Sequence, residues 1–341
     1  MLVDTPILEM ENLTKIFSRG LLKKSFVLAV DNINLSLNKG DRLAIIGESG
    51  MGKTTIARIA CLLETPTYGK IKWFGRDIQS LSKKEMMNLR SKVQYVHQDP
   101  YTSLHPSKTV FNILADPLKK LQNLKGKKLE DKVCELLTLV GITPPSYFLD
   151  KYPHHLSGGG RQRLAIARAL TAAPQILVAD EPISMIDMSL RASIIQLLTT
   201  LNQELQLTIV LVLHDIGAAR YFASKGGNLA IIYGGRIVES GLSDEVINNP
   251  LHPYTRILIE ASPIPDPELA KDRVIPELKS YEPPRREMGE KSCPFSHACL
   301  YATDICYKED PDFTMVKDTH QVACFNRENL PKWIAPWERN G

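Results

Sequence analysis

Two stretches of this 341-residue chain carry the residue types that phosphoryl transfer needs. GESGMGKT, residues 47 to 54, has the spacing G-x-x-x-x-G-K-T. Its glycines let successive backbone N–H groups face a phosphate, and the start of a following helix favours negative charge. Lys53 would bridge the β- and γ-phosphates of a nucleotide, and the Thr54 hydroxyl would ligate Mg²⁺. Gly47, Ser49, Gly50, Gly52 and Thr55 complete this expected cradle. LVADEP, residues 177 to 182, puts two carboxylates at the end of an apolar run. There Asp180 would join the Mg²⁺ shell and Glu181 would polarise an attacking water, because phosphoryl transfer asks the protein to orient water and neutralise spreading charge. In LHD, residues 213 to 215, His214 ends the next apolar run, where it could reach a γ-phosphate.

Such groups work only if strands and helices hold them. RLAIIGESGMGKTTIARIACLL (42 to 63) reads as a buried strand, a glycine-rich turn and a helix, the context in which a phosphate loop has meaning. QILVADE, LTIVLVLHD and NLAIIYGGRIVE are β-branched and nearly unbroken, as strands covered on both faces are. RQRLAIARALTAA and SLRASIIQLLTTLNQEL supply crossover helices for a parallel α/β sheet. Alternation in ILEMENL and VLAVDNINLSL predicts a lead-in antiparallel sheet with one solvated face. The stretch from about 100 to 170 turns helical and predicts an inserted helical subdomain. The expected division is a nucleotide-binding domain over 1–262, a proline-rich linker over 263–290 and a cysteine-rich extension over 291–341.

Composition is that of an ordinary globular chain, 43% hydrophobic with a formal net charge of +4. The longest apolar runs are strand-sized, and the start has no basic and apolar leader pattern, so a cytosolic chain without its own membrane segment is expected. The basic run KKLQNLKGKK (119 to 128) has no interleaved aromatic residues and reads as a solvated helix face; no nucleic-acid partner is expected. Of six cysteines, Cys61 and Cys134 fall in apolar helical patterns and are expected in the core. Cys293, Cys299, Cys306 and Cys324 cluster near the end. In a reducing compartment they read as metal ligands, for tetrahedral Zn²⁺ or an iron–sulfur cluster, with free thiols as the third reading. Their spacing is wider than a zinc knuckle's, which leans toward a cubane.

HLSGGGRQRLAIARAL, residues 155 to 170, is a Ser-Gly-Gly turn opening a helix, a second anion-binding N-terminus. With the motifs above in order, it resembles the nucleotide-binding domain of ABC transporters, an α/β P-loop NTPase fold with an antiparallel β subdomain and a helical insert. The resemblance implies a head-to-tail pair of domains, each ATP lying between one chain's phosphate loop and the other's signature Ser157, Gly158 and Gly159. It implies that Phe17 stacks on adenine, that Gln98 is the Q-loop glutamine sensing Mg²⁺ and the permease, that Asp187 belongs to the D-loop, and that His214 is the switch histidine. Lys53, Glu181 and His214 then form the catalytic set.

QDPYTSLHPSKTV, YGGRIVESG and NPLHPYTRILIEASP look like the dipeptide/oligopeptide permease class of importer ATPases, whose tail resembles the cysteine pattern here. That class implies two transmembrane permease subunits, an extracellular or periplasmic substrate-binding protein, a peripheral place on the cytoplasmic face of the membrane, and a [4Fe–4S] cluster on the four C-terminal cysteines. It also includes carriers of oligosaccharides and nickel chelates, since cargo selection resides in the other subunits. Gly160 stands where the signature has glutamine and His155 where the class has glutamate, and Ile183, Met185 and Ile186 depart around the D-loop. These departures predict an asymmetric heterodimer with a paralogous ATPase. Two other classes compete. One is a soluble ABC ATPase of ribosomes or DNA, which would carry tandem domains or a coiled-coil insertion, and neither is present. The other is a sensor in which the cluster is the point and ATP the accessory.

Overall fold

The computed structural model describes residues 5–19, 25–263, 278–280 and 289–338; most of the expected linker, 264–277 and 281–288, lies outside them. In chain order the elements are β1 (Leu8–Arg19), β2 (Ser25–Leu37), β3 (Arg42–Ile46), α1 (Lys53–Ala60), β4 (Tyr68–Trp73), β5 (Arg76–Asp77), α2 (Lys83–Arg90) and β6 (Val93–Val96). Five helices follow without a strand: α3 (Pro100–Ser103), α4 (Val110–Gln122), α5 (Gly126–Leu139), α6 (Pro145–Phe148) and α7 (Gly158–Leu170). Then come β7 (Ile176–Asp180), α8 (Met188–Leu205), β8 (Thr208–Leu213), α9 (Ile216–Ala223), β9 (Asn228–Tyr233), β10 (Arg236–Leu242), α10 (Ser243–Asn248) and α11 (Pro253–Ala261). Two short strands, β11 (Thr314–Met315) and β12 (Gln321–Val322), end the series.

These elements fall into two compact units, the described residues of 1–7, 37–41 and 73–212 and those of 8–36, 42–72 and 213–341. In the first, β6 pairs parallel with β7 and β7 parallel with β8. Every residue of β7 and β8 is buried, which is why both read as apolar runs without alternation. Helix α8 spans the crossover that parallel pairing requires. Thr109 caps α4 by accepting from the Asn112 N–H at 3.3 Å, and Asn123, at φ 53°, ends it in the left-handed conformation. The basic run is therefore not one helix face. Lys119 and Lys120 end α4 while Lys127 and Lys128 open α5, all of them exposed, because Asn123 breaks the helix between them. Cys134 also departs from expectation, being half-buried, since the inward stripe of α5 is Leu129, Val133, Leu136 and Leu137.

In the second unit, β3 pairs parallel with β9, and β9 pairs antiparallel with β10. NLAIIYGGRIVE is thus a hairpin, not one strand, and the sheet is mixed where a parallel sheet was expected. The turn is Gly234-Gly235, at φ 55° and 79°, the left-handed pair that a two-residue hairpin with right-twisted strands demands. β10 continues antiparallel to β12 and β12 to β11, so the C-terminal residues add strands to this sheet. Strands β2, β1 and β4 neighbour one another in that order in a separate sheet. The C-terminal segment is tied down further by charge. Arg236 reaches Asp31 at 2.6 Å and Asp310 at 2.8 Å. The fully buried Glu239 carboxylate accepts from the Leu251 and His252 N–H groups and pairs with His320 Nε2 at 2.7 Å. Cys61 is buried at the C-terminus of α1, as expected.

Candidate functional site: the phosphate loop, the paired carboxylates and the signature turn

The loop from Gly47 to Thr54 joins β3 to α1, and backbone sterics set its residue types. Gly52 lies at φ 96°, and a Cβ there would fall 2.2 Å from Ala29 O. A Cβ on Gly47 would fall 2.3 Å from Ile232 O, so neither position admits a side chain. Lys53 is 4% exposed, and its ammonium donates to Glu48 O at 2.8 Å, curling the side chain over its own loop. Thr54 is exposed and Thr55 half-buried at the start of α1, while Ser49 and Gly50 are exposed. The Glu48 N–H donates to the Tyr254 hydroxyl at 3.0 Å, so α11 supports the loop from 206 residues away. Burial holds the Tyr254 phenol above its ordinary range, which keeps it neutral.

On the other unit, Asp180 and Glu181 stand at the end of β7, Asp180 only 3% exposed. The Tyr95 hydroxyl donates to Asp180 Oδ2 at 2.7 Å, and the Gln98 amide donates to Glu181 Oε2 at 3.2 Å. Both partners come from β6 or its exit, so one neighbouring strand holds both carboxylates. Glu181 adopts φ 43°, a left-handed conformation that costs a non-glycine residue about 1 to 3 kcal/mol. Its N–H donates to Val212 O at 3.0 Å, and its carbonyl accepts from the Ser184 N–H at 3.2 Å and the Ser184 hydroxyl at 2.9 Å. Those bonds fix the backbone of the strained residue.

Ser157 caps α7, its hydroxyl accepting from the Gly160 N–H at 3.1 Å. The 13 residues of α7 put the positive end of the helix at Gly158 and Gly159. Gly159 is buried, and a Cβ there would fall 3.1 Å from Leu190 Cδ1. Exposed Met185 and Leu190 lie beside this turn, and Met188, also exposed, opens the helix that carries Leu190. Asp187 precedes α8 as its N-cap residue without a side-chain capping bond, and is exposed. His214 is exposed just after β8, and the adjacent Asp215 caps α9 through the Gly217 and Ala218 N–H groups. Phe17 on β1 is half-buried, with the Lys15 ammonium 4.9 Å from its ring centre.

The structure thus brings Tyr95, Gln98, Asp180 and Glu181 together in one unit, and Glu48, Lys53 and Tyr254 in the other. Tyr95 and Tyr254 were not anticipated from the sequence. The only signal for Tyr95 is strand alternation, which puts it on the face opposite to Gln94 and Val96 in β6.

The C-terminal thiols are gathered in one small module. Cys293 N–H donates to Cys306 O at 2.9 Å, the Tyr301 N–H to Cys299 Sγ at 3.3 Å and the Asn326 amide to Cys306 Sγ at 3.6 Å. Burial pushes the Cys293 thiol up to about 12 and Cys324 up to about 11, and neighbouring thiols add to both. Among the described residues no three His, Cys, Asp or Glu side chains are placed to hold a metal ion. The ligand types suit a cluster; their placement does not form its cage. No described helix is long and apolar enough to cross a membrane.

Comparison with known proteins places these pieces in a family. The ABC transporter family model matches residues 30–184, and the model of the oligopeptide/dipeptide transporter C-terminal region matches residues 238–306. The chain is 39% identical over 317 residues to a di/tripeptide transport ATP-binding protein, DppF, of Pseudomonas aeruginosa, covering 92% of this chain and 94% of that one. It is 38% identical over 325 residues to the oligopeptide transport ATP-binding protein AppF of Bacillus subtilis, covering 93% and 96%. A dimeric ATP-binding cassette solved in a post-hydrolysis state with ADP and Pi is 30% identical with a TM-score of 0.59, covering 67% of this chain and 96% of that one. A glycine-rich loop, a capped signature turn and a strand-end pair of carboxylates, in this order and with these relatives, leave one assignment: the chain belongs to the ABC transporter ATP-binding proteins of the dipeptide/oligopeptide class.

Proposed function

We propose that this chain is the ATP-hydrolysing subunit of a di- or oligopeptide importer. The observation that carries hydrolysis is the Glu181 carboxylate, held at the end of β7 by a left-handed backbone and by Gln98. A carboxylate so fixed is placed to orient and polarise water, the task phosphoryl transfer leaves to protein. Lys53, with the loop N–H groups and the Thr55 hydroxyl, takes phosphate oxygens; His214 serves the γ-phosphate; Phe17 offers its ring to adenine. Hydroxyl, amide and carboxylate oxygens of Thr54, Gln98 and Asp180 are the hard donors that Mg²⁺ takes. When bound, the ion neutralises charge on the β- and γ-phosphates. The peptide cargo is supported by the names of the relatives and by the C-terminal family match.

The partners in this reading are a paralogous ATPase, two transmembrane permeases and a substrate-binding protein, with the chain at the cytoplasmic face. Exposed Met185 and Leu190 beside the Ser157 turn, with exposed Met188 at the start of α8, support a second ATPase docking there, through Ser157, Gly158, Gly159 and Asp187. Gly160 and His155 support functional asymmetry of the pair. Residues 1–262 form the nucleotide-binding domain, and 291–341 an extension whose Cys293, Cys299, Cys306 and Cys324 would be the thiolates for a [4Fe–4S] cluster, a set not drawn into a cage among the described residues. Four buried or half-buried thiols on one module, with the Tyr301 N–H donating to Cys299 Sγ and the Asn326 amide to Cys306 Sγ, support the choice of these four residues. Iron and acid-labile sulfide near four each per chain after anaerobic purification are expected; a colourless, iron-free chain removes the cluster.

The test of the function is reconstitution of the complete transporter in vesicles. A peptide-loaded binding protein should stimulate ATP hydrolysis and peptide uptake. Stimulation by an oligosaccharide- or nickel-loaded binding protein instead would reassign the cargo, and no stimulation by any would count against transport. Equal loss of hydrolysis on substituting the catalytic glutamate of either ATPase would remove the asymmetry.

A further inference from the structure

We propose that the C-terminal cysteine module braces the phosphate loop, with Phe295 as the positioning residue. Phe295 sits between Cys293 and Cys299, 1% exposed. Its ring centre lies 4.9 Å from that of Tyr233 and 5.5 Å from that of Tyr254, and the two tyrosines are 4.6 Å apart, both pairs with Tyr233 meeting edge to face. Such a triad of buried rings fixes orientation as well as area.

Each tyrosine leads to a different point on the loop. The Tyr254 hydroxyl accepts the Glu48 N–H. Tyr233 directly precedes the hairpin turn at Gly234-Gly235, whose Gly235 N–H donates to Met51 O at 3.2 Å and whose Gly234 N–H approaches Met51 Sδ at 3.4 Å. The same turn lies 3.4 Å, at Gly235 Cα, from where a Gly52 Cβ would be. The loop is therefore held from behind at Glu48 by Tyr254 and at Met51 by the Gly234-Gly235 turn, and Phe295 packs on Tyr254 and on Tyr233, the residue that leads into that turn. Its own backbone is anchored by the cysteine turn: the Ser296 N–H donates to Cys293 O at 3.0 Å, and the Cys299 N–H donates to Phe295 O at 2.9 Å. A glycine-rich loop with exposed Ser49 and Gly50 binds phosphate only if its N–H groups stay aimed, so a brace at two points acts on affinity.

The inference rests on the reading of residues 47–54 as the phosphate-binding element, and the test separates the two. The full chain is studied as wild type, Lys53→Ala, Tyr254→Phe and Phe295→Leu, by amide hydrogen exchange and by binding of a fluorescent ATP analogue without Mg²⁺. In Phe295→Leu, the Glu48 and Gly235 amides should both exchange about tenfold faster or more, and the analogue should bind about three- to tenfold more weakly. In Tyr254→Phe only the Glu48 amide should be released, with a similar loss of binding. A role for Phe295 confined to filling its own module would speed exchange only within 289–338 and leave binding unchanged, which overturns the brace. Unchanged Glu48 exchange in Tyr254→Phe overturns it independently, should Phe295→Leu not fold. If Lys53→Ala binds the analogue as tightly as wild type, the phosphate-loop reading falls and the brace with it.

Discussion

Tyr95 Oη lies 2.7 Å from Asp180 Oδ2 and donates to it, so a phenol on one strand orients the buried carboxylate on the next. Asp180 is 3% exposed, and the Tyr95 and His97 rings meet edge to face with centroids 4.8 Å apart. Hydrogen-bonded partners of metal-binding carboxylates commonly set metal affinity by about 10- to 100-fold. Tyr95→Phe keeps the ring and removes only the donor. The apparent Mg²⁺ constant for ATP hydrolysis should weaken about tenfold, with a matching loss in Mn²⁺ binding by electron paramagnetic resonance, while metal-free nucleotide binding holds. Unaltered Mn²⁺ affinity would mean the contact only fills space.

Glu181→Gln retains the shape and the Gln98 contact in altered form but removes the base. ATP should still bind, and turnover should fall about 10²- to 10⁴-fold. In the paired ATPases, a long-lived ATP-bound dimer should accumulate, detectable by size-exclusion chromatography. Normal turnover by this variant would rule out Glu181 as the residue that polarises water.

Gly52→Ala asks for a Cβ where Ala29 O already is, at a φ that L residues avoid. The loop must shift or the variant must carry the strain, a loss of about 1 to 3 kcal/mol or more. A lower melting temperature and loss of nucleotide binding are expected together. Retained binding with unchanged melting would contradict the close approach of loop and strand β2.

His252 gives a pH signature. The buried ring caps α11, Nδ1 accepting the Tyr254 N–H at 3.1 Å, and burial lowers its pKa from 6.5 to about 3. The unfolded chain then binds a proton at higher pH than the folded one. This contribution to stability is present above pH 6.5 and is lost as pH falls through about 3. His252→Asn keeps a capping acceptor that does not titrate, so denaturant-unfolding stability should fall less steeply between those values than in wild type. Identical slopes would show that His252 does not titrate on unfolding in that window.

How much of this was readable beforehand depended on whether the relevant residues are neighbours in the chain. GESGMGKT, LVADEP and HLSGGG were legible because a strand end, a turn and a helix start are local, and the residue types that suit them follow from backbone geometry. NLAIIYGGRIVE reads as one strand because β-branched residues continue past the turn in Ile237 and Val238; only the Gly234-Gly235 pair, both left-handed, marks the reversal. The basic run at 119–128 was misread because composition does not register the break at Asn123. Cys134 lies at the flank of an inward stripe, a distinction of one position around a helix.

By itself, the order of residues determined the glycine turn into α1, the acidic end of an apolar run and the capped signature turn, since turn and cap geometry and an unbroken apolar run are written in adjacent residues. It also settled the family, as the conjunction of motifs in order does not arise by chance. Tertiary structure alone decided what holds those groups in place: Tyr95 beneath Asp180, 85 residues apart, and Tyr254 behind Glu48, 206 apart. The reason is physical. Which side chain fills the space next to a buried carboxylate or a loop amide depends on sheet order and ring packing, and those are fixed by burial over the whole unit, not by any run of adjacent residues.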